Sequence, residues 1–281
     1  MTDLAAMEDS LPGRWPFAGR DSFAGLASHH RLPLIHSLPG ILVWPFVMIL
    51  MTSTVGGFGI SVWQMMGGPV TGWSAATAFF FSATLGYAAT AALMAFWFGR
   101  YGAHGAAFSI LPYRLSDFGM GFATLVFVIG FGGPLTVMFH EFAMANPELT
   151  FSGGADSREL SNVDNITEAG ATNWSIILFA VIAAPIVEEV LFRGWMLPML
   201  KARGVPTIFA ILISALAFGL VHIFHEPNER LMVMTSTFFL GIALGVARVV
   251  TGRTAAPVLG HMANNAWAVF AVPNLIALQS G

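Results

Sequence analysis

The chain has 281 residues, 56% hydrophobic and 10% charged, with 30 glycines besides. Soluble domains carry about 45–50% apolar and about 25% charged residues, so a water-soluble globule of this size could not hide its apolar side chains. The 12 Lys and Arg against 15 Asp and Glu leave no basic excess, and with 13% aromatic residues and no Gly-X-Y period this excludes a nucleic-acid-binding module, a disordered chain and a collagen. A polytopic membrane protein remains.

In chain order, residues 1–38 hold Arg14, Arg20 and Arg31 but no apolar run, and are expected to be a cytosolic tail rather than a cleaved signal. Seven stretches then qualify as spans of about 20 apolar residues: 41–63, 73–98, 118–139, 174–198, 206–224, 230–250 and 256–278. They are too long and continuous for the alternating strands of a membrane barrel. The expected fold is therefore all-α, a polytopic membrane bundle of about seven transmembrane helices. Residues 39–173 form its N-terminal helices and an outer loop, and residues 174–278 form a C-terminal unit.

Basic residues indicate the orientation. If the spans alternate, the three arginines of the tail, Arg100, Arg114, Lys201, Arg203, Arg248 and Arg253 fall on one side. The other side receives Arg158, Arg230 and the acidic 140–173 loop, which also holds the sequon Asn165-Ile166-Thr167. This places the N-terminus in the cytoplasm. Cysteine is absent, which excludes disulfides, thiolate metal sites and a cysteine nucleophile.

Three places break the apolar pattern, all in the C-terminal half: Glu188-Glu189-Val190-Leu191-Phe192-Arg193-Gly194, Phe218-Gly219-Leu220-Val221-His222 and His261-Met262-Ala263-Asn264-Asn265. Ionisable groups at membrane depth cost several kcal/mol and are by default functional, facing a cavity or a partner. Glu189 and Arg193 are four residues apart on one helical face, acid before base, the favourable order for an ion pair. Glu188 points about 100° away and stays free for chemistry. The same spacing sets Phe218 under His222 as a packing support and puts His261 and Asn265 on one face. An antiparallel hairpin turning near Gly204 would bring Glu188 and His222 to one level, roughly 24 and 27 Å from the turn. His261 lies ~13 Å from its own turn at Gly252, so a shared level needs the Gly204 turn to stand roughly 10 Å proud of the membrane.

Each feature also has a plain structural explanation. The Glu189–Arg193 pair could be structural only, His222 a helix cap, and His261 with Asn265 interhelical hydrogen-bonding glue. His225 with Glu226, and His140 with Glu141, read as interfacial residues. Together, an acid, two histidines and an amide in one half of the bundle point to a site, since the first three helices hold no such group at mid-depth.

These motifs resemble the CPBP family of intramembrane proteases, the CAAX protease and bacteriocin-processing group that includes the type II CAAX prenyl endopeptidases. That family is marked by Glu-Glu-x-x-x-Arg, Phe-x-x-x-His and His-x-x-x-Asn in order, and the chain carries all three over about residues 174–270. Residues 1–173 hold no signature of it. The resemblance implies peptide-bond hydrolysis within the membrane, with Glu188 and His222 activating a water, His261 and Asn265 stabilising the oxyanion, and Glu189 and Arg193 holding the geometry. It implies a metal-free, glutamate-dependent reaction with no cofactor. The alternative is zinc held by Glu188, His222 and His261, a legitimate catalytic set, although the His-Glu-x-x-His spacing of many zinc proteases is missing.

The expected partners are the lipid bilayer and a membrane-associated peptide or protein substrate, with no nucleic acid. The expected location is a bacterial inner (cell) membrane. Two other functions stay open: a non-proteolytic relative acting as a bacteriocin-resistance or membrane assembly factor, and a proton-coupled transporter. Against the transporter, the ionisable groups lie in one half and not in two matching repeats.

Overall fold

The computed structural model describes residues 38–69, 72–100, 109–145, 173–224 and 227–271. The 1–37 tail, the sequon with most of the acidic loop, His225 with Glu226, and 272–281 lie outside the described residues. Within them there is no strand. α1 is Leu38–Met65 and α2 is Gly72–Arg100. α3 comprises Leu115–Phe127, a π-helical turn Val128–Gly132, and Gly133–Ala145. α4 runs through Trp174–Ile176, a π turn Ile177–Ala183, Ala184–Glu189, a second π turn Val190–Met196, and Leu197–Ala202. α5 is Thr207–Leu220 with a 3-10 turn Val221–Phe224, α6 is Pro227–Thr251, and α7 is Ala255–Ala266 with a π turn Trp267–Ala271.

The molecule is a helical bundle of an integral membrane protein. Among the described residues five helices are long and apolar enough to cross a bilayer: Pro39–Met65, Ala76–Phe96, Leu115–Ala143, Trp174–Lys201 and Arg230–Thr251. The expected number of seven is not reached on that measure. α5 supplies only the shorter apolar helix Thr207–Ile223, and α7 is described only as far as Ala271.

Proline accounts for the irregular turns. Three of the π turns end two residues before a proline: Gly132 before Pro134, Ala183 before Pro185 and Met196 before Pro198. Proline cannot donate to the preceding turn and its ring crowds that turn's carbonyl, so the helix widens there. In α4 the carbonyls five residues before Pro185 and Pro198 take side-chain donors from other helices instead. Asn265 Nδ2 donates to Ala180 O at 2.8 Å, and Arg248 Nε donates to Arg193 O at 3.0 Å. Apolar helices have little hydrophobic force to align them in lipid, and such polar contacts set their register.

The α4–α5 turn falls at Gly204, as the hairpin geometry requires. Gly204 has φ +82°, with Gly204 N–H bonded to Lys201 O at 2.9 Å and Val205 N–H to Leu200 O at 3.1 Å. That is the Schellman pattern, in which a left-handed glycine ends the helix.

α1 pairs with α2, α5 with α6 and α3 with α7, while α4 touches α1, α2, α5, α6 and α7. It is the central helix: 56% of its apolar window is buried, against 17–33% for the other four spans. Two of the basic residues counted for orientation belong to this interior. Arg248 is fully buried, and Arg253 bridges Asp117 at 3.3 Å and donates to Ile110 O at 3.2 Å. Arg248 ties α6 to α4, and Arg253 ties the start of α7 to the chain around α3, so both charges serve the interior rather than marking a side of the membrane.

Candidate active site

Val187 to Leu200 of α4 are all buried, and this stretch contains Glu188, Glu189 and Arg193. Glu189 Oε1 accepts from Arg193 Nη1 at 2.8 Å, the expected i,i+4 pair, and from His261 Nδ1 at 3.0 Å. Arg193 Nη2 donates to Gly241 O on α6 at 3.0 Å. Glycine is required at that position, because a Cβ on Gly241 would lie 2.9 Å from Ala215 Cα and 3.1 Å from Arg193 Nη2. The guanidinium carbon also sits 4.5 Å from the Phe218 ring centre, a cation–π contact. The pair is fully buried and joins α4, α6 and α7.

Glu188 has different partners. Its Oε1 accepts from the Tyr87 hydroxyl of α2 at 2.5 Å, and its Oε2 lies 4.0 Å from His261 Nε2. Two adjacent carboxylates thus have different partners although both face His261. Glu189 has a guanidinium and an imidazole, whereas Glu188 is held by a neutral donor.

Phe218 is more than a support for His222. It meets His222 edge-on at 5.1 Å between centroids, His261 at 5.5 Å and Phe192 at 5.2 Å, so both histidines rest on one buried ring. His222 Nδ1 is 2.7 Å from Phe218 O. A carbonyl can only accept, so this contact assigns the proton to Nδ1 and makes Nε2 the acceptor of the neutral ring.

Glu188, Glu189, Arg193, Phe218, His222 and His261 therefore come together around the middle of α4. Asn265 lies one turn beyond His261, and its amide ties α7 to Ala180 O at 2.8 Å while its Oδ1 accepts from Asn264. His140 is half-buried and Glu141 exposed in the final turns of α3. Among the described residues no three His, Asp or Glu side chains are arranged to hold a metal ion, the set Glu188, His222 and His261 included.

The sequence reading missed Tyr87, Gly241 and Arg248. For Tyr87 a signal existed: only 3 tyrosines accompany 25 phenylalanines. A hydroxyl inside an apolar helix needs a partner. Arg248 looked like a loop charge because it stands close to the end of its span.

Comparison with known proteins finds a family for the segment that holds most of these residues. Residues 170–267 match the model of the Rce1-like type II CAAX prenyl endopeptidase family, and so carry such a domain. The chain is also 36% identical over 87 residues to a protein of Escherichia coli described as an uncharacterized 24.3 kDa protein. That similarity spans 31% of this chain and 39% of the bacterial protein's length. No solved structure matches the chain significantly.

Proposed function

We propose that the chain is an intramembrane endopeptidase that hydrolyses a peptide bond in a membrane-associated protein or peptide, without a metal ion. The reading rests on two neighbouring buried carboxylates with unlike partners, inside an Rce1-like domain. Glu189, engaged by Arg193 and His261, holds the frame. Glu188, hydrogen-bonded by the Tyr87 hydroxyl with the His261 ring 4.0 Å from its other oxygen, has the chemistry of a general base. With His222 it draws a proton from water, whose oxygen attacks the substrate carbonyl carbon. The oxyanion forms on the His261 and Asn265 side, and the proton passes to the leaving nitrogen as the C–N bond breaks.

The hydrogen bonds constrain these roles further. His261 Nδ1 already faces the Glu189 carboxylate at 3.0 Å, so donation to an oxyanion requires a proton on Nε2 as well. The ring then acts as an imidazolium with Glu189 as counter-ion. The two carboxylates, the guanidinium and this imidazolium balance in charge, as a buried cluster should. Asn265 has two amide hydrogens, one given to Ala180 O, which leaves the second for the oxyanion.

The basic tail and the remaining loop arginines support an orientation with the N-terminus cytoplasmic, in what we take to be a bacterial cell membrane. The test is a comparison of membrane fractions from cells expressing wild type or Glu188→Gln, with new peptide N-termini mapped by mass spectrometry. Wild type should generate termini that the variant does not. Identical termini in both would remove the enzyme and leave a binding or assembly role.

A further inference from the structure

We propose that Tyr87 is a positioning residue for Glu188: its phenol holds Oε1 in place and thereby selects Oε2, on the His261 side, as the oxygen that takes the proton from water. This rests on Glu188 being the base proposed above. In the step itself one O–H bond of water breaks, its proton goes to Oε2, and the freed electron pair forms the bond to the substrate carbonyl carbon.

Four observations carry it. First, Tyr87 O–H meets Glu188 Oε1 at 2.5 Å, while Oε2 is 4.0 Å from His261 Nε2, so the two oxygens are not equivalent. Second, the phenol is held from behind, with its ring packed edge-on to Phe179 of α4 at 5.1 Å.

Third, α2 is locked at this height. A Cβ on Gly86 would come within 2.5 Å of Thr52 O on α1, and Thr90, one turn on, bonds Thr52. The α1–α2 hairpin therefore cannot slide along itself at the level of Tyr87.

Fourth, the donor is neutral. An arginine or lysine in its place would compensate the charge of Glu188, as Arg193 does for Glu189. A phenol orients Oε1 without adding a positive charge of its own, and the His261 ring stands 4.0 Å from Oε2, beyond hydrogen-bond contact. Tyr87 lies outside residues 170–267, so the N-terminal hairpin contributes to the site although it falls outside the family match.

The test uses the full chain in lipid vesicles and Tyr87→Phe, which keeps the ring on Phe179 and removes only the hydroxyl. Infrared difference spectra of wild type against Tyr87→Phe should show a shifted carboxylate band. The same substitution in a Glu188→Gln background should show none. Cleavage of a dye-quenched farnesylated CAAX peptide by Tyr87→Phe should fall ~10–100-fold in kcat with KM unchanged, the usual effect of a misplaced catalytic group. Incorporating a fluorinated tyrosine at position 87, which retains the hydroxyl, should restore much of the rate.

A carboxylate band unaffected by the hydroxyl, or a Tyr87→Phe enzyme with wild-type kcat, overturns the proposal. If wild type leaves the peptide whole, the endopeptidase reading fails on that substrate class. The infrared comparison still decides whether Tyr87 holds Glu188.

Discussion

Arg193→Ala removes more than one salt bridge. The guanidinium gives one nitrogen to Glu189 Oε1 at 2.8 Å and another to Gly241 O at 3.0 Å, and it covers the face of Phe218 at 4.5 Å. Without it Glu189 is a fully buried carboxylate with only His261 to meet it, and its Oε2 already has no protein partner. Stranding a buried charge costs about 3–5 kcal/mol. At ~1.4 kcal/mol per factor of ten this shifts the folded population by ~10²–10⁴. Arg193→Lys should fall in between, because an ammonium cannot present the planar fork that serves Glu189 and Gly241 together. Adding Glu189→Gln to Arg193→Ala removes the stranded charge and should recover part of the loss. The assay is the monodisperse fraction surviving a heating series in detergent, since membrane proteins of this kind are measured by rates of irreversible loss. Survival of Arg193→Ala at wild-type level, or a double variant no better than the single one, would refute this account of the pair.

Glu188→Gln should elute and resist heating as wild type does while losing all turnover, because an amide cannot accept the proton. Dialysis against a strong chelator should leave cleavage unchanged; loss restored by stoichiometric zinc would instead make Glu188, His222 and His261 ligands. His261→Ala and Asn265→Ala should each lower kcat by ~10²–10³, the usual loss of an oxyanion donor. Asn265→Ala should in addition lose stability by ~1–3 kcal/mol, since Ala180 O is left without its donor, and the heating assay reads that separately from activity. Cysteines introduced at Ser28 and Gly154 should label from opposite faces of the membrane, and labelling from the same face would overturn the orientation.

The site was legible in the sequence where charge stood against an apolar background and helical spacing fixed the geometry. Glu189 with Arg193, Phe218 with His222, and the turn at Gly204 needed no tertiary information, because each is decided within one or two turns of helix. Contacts between helices were another matter. The Tyr87 hydroxyl stands out as a polar group in an apolar helix, but nothing local names its partner, Glu188, 101 residues further on. Hydropathy puts Arg248 and Arg253 at a span boundary because it records polarity and not where a long side chain reaches. The prolines of α4 were visible, but which side chain answers each freed carbonyl depends on neighbours far along the chain.

The partners of the two acids bear on how α4 can be made. A ribosome delivers the helices to the membrane from the N-terminus onward, and an acidic residue at the centre of a helix costs about 2.5–3.5 kcal/mol to insert. Glu189 brings its counter-ion within the same helix, at Arg193, and Glu188 finds its donor on α2, which has been synthesised earlier. Neither carboxylate has to wait for α5, α6 or α7 before it meets a polar group. The later helices, bearing His222, Gly241 and His261, then close around an α4 whose two most costly side chains are already accommodated. Chain order and hydrogen bonding thus give this bundle a sequence of assembly, with the N-terminal hairpin as the dock that α4 enters first.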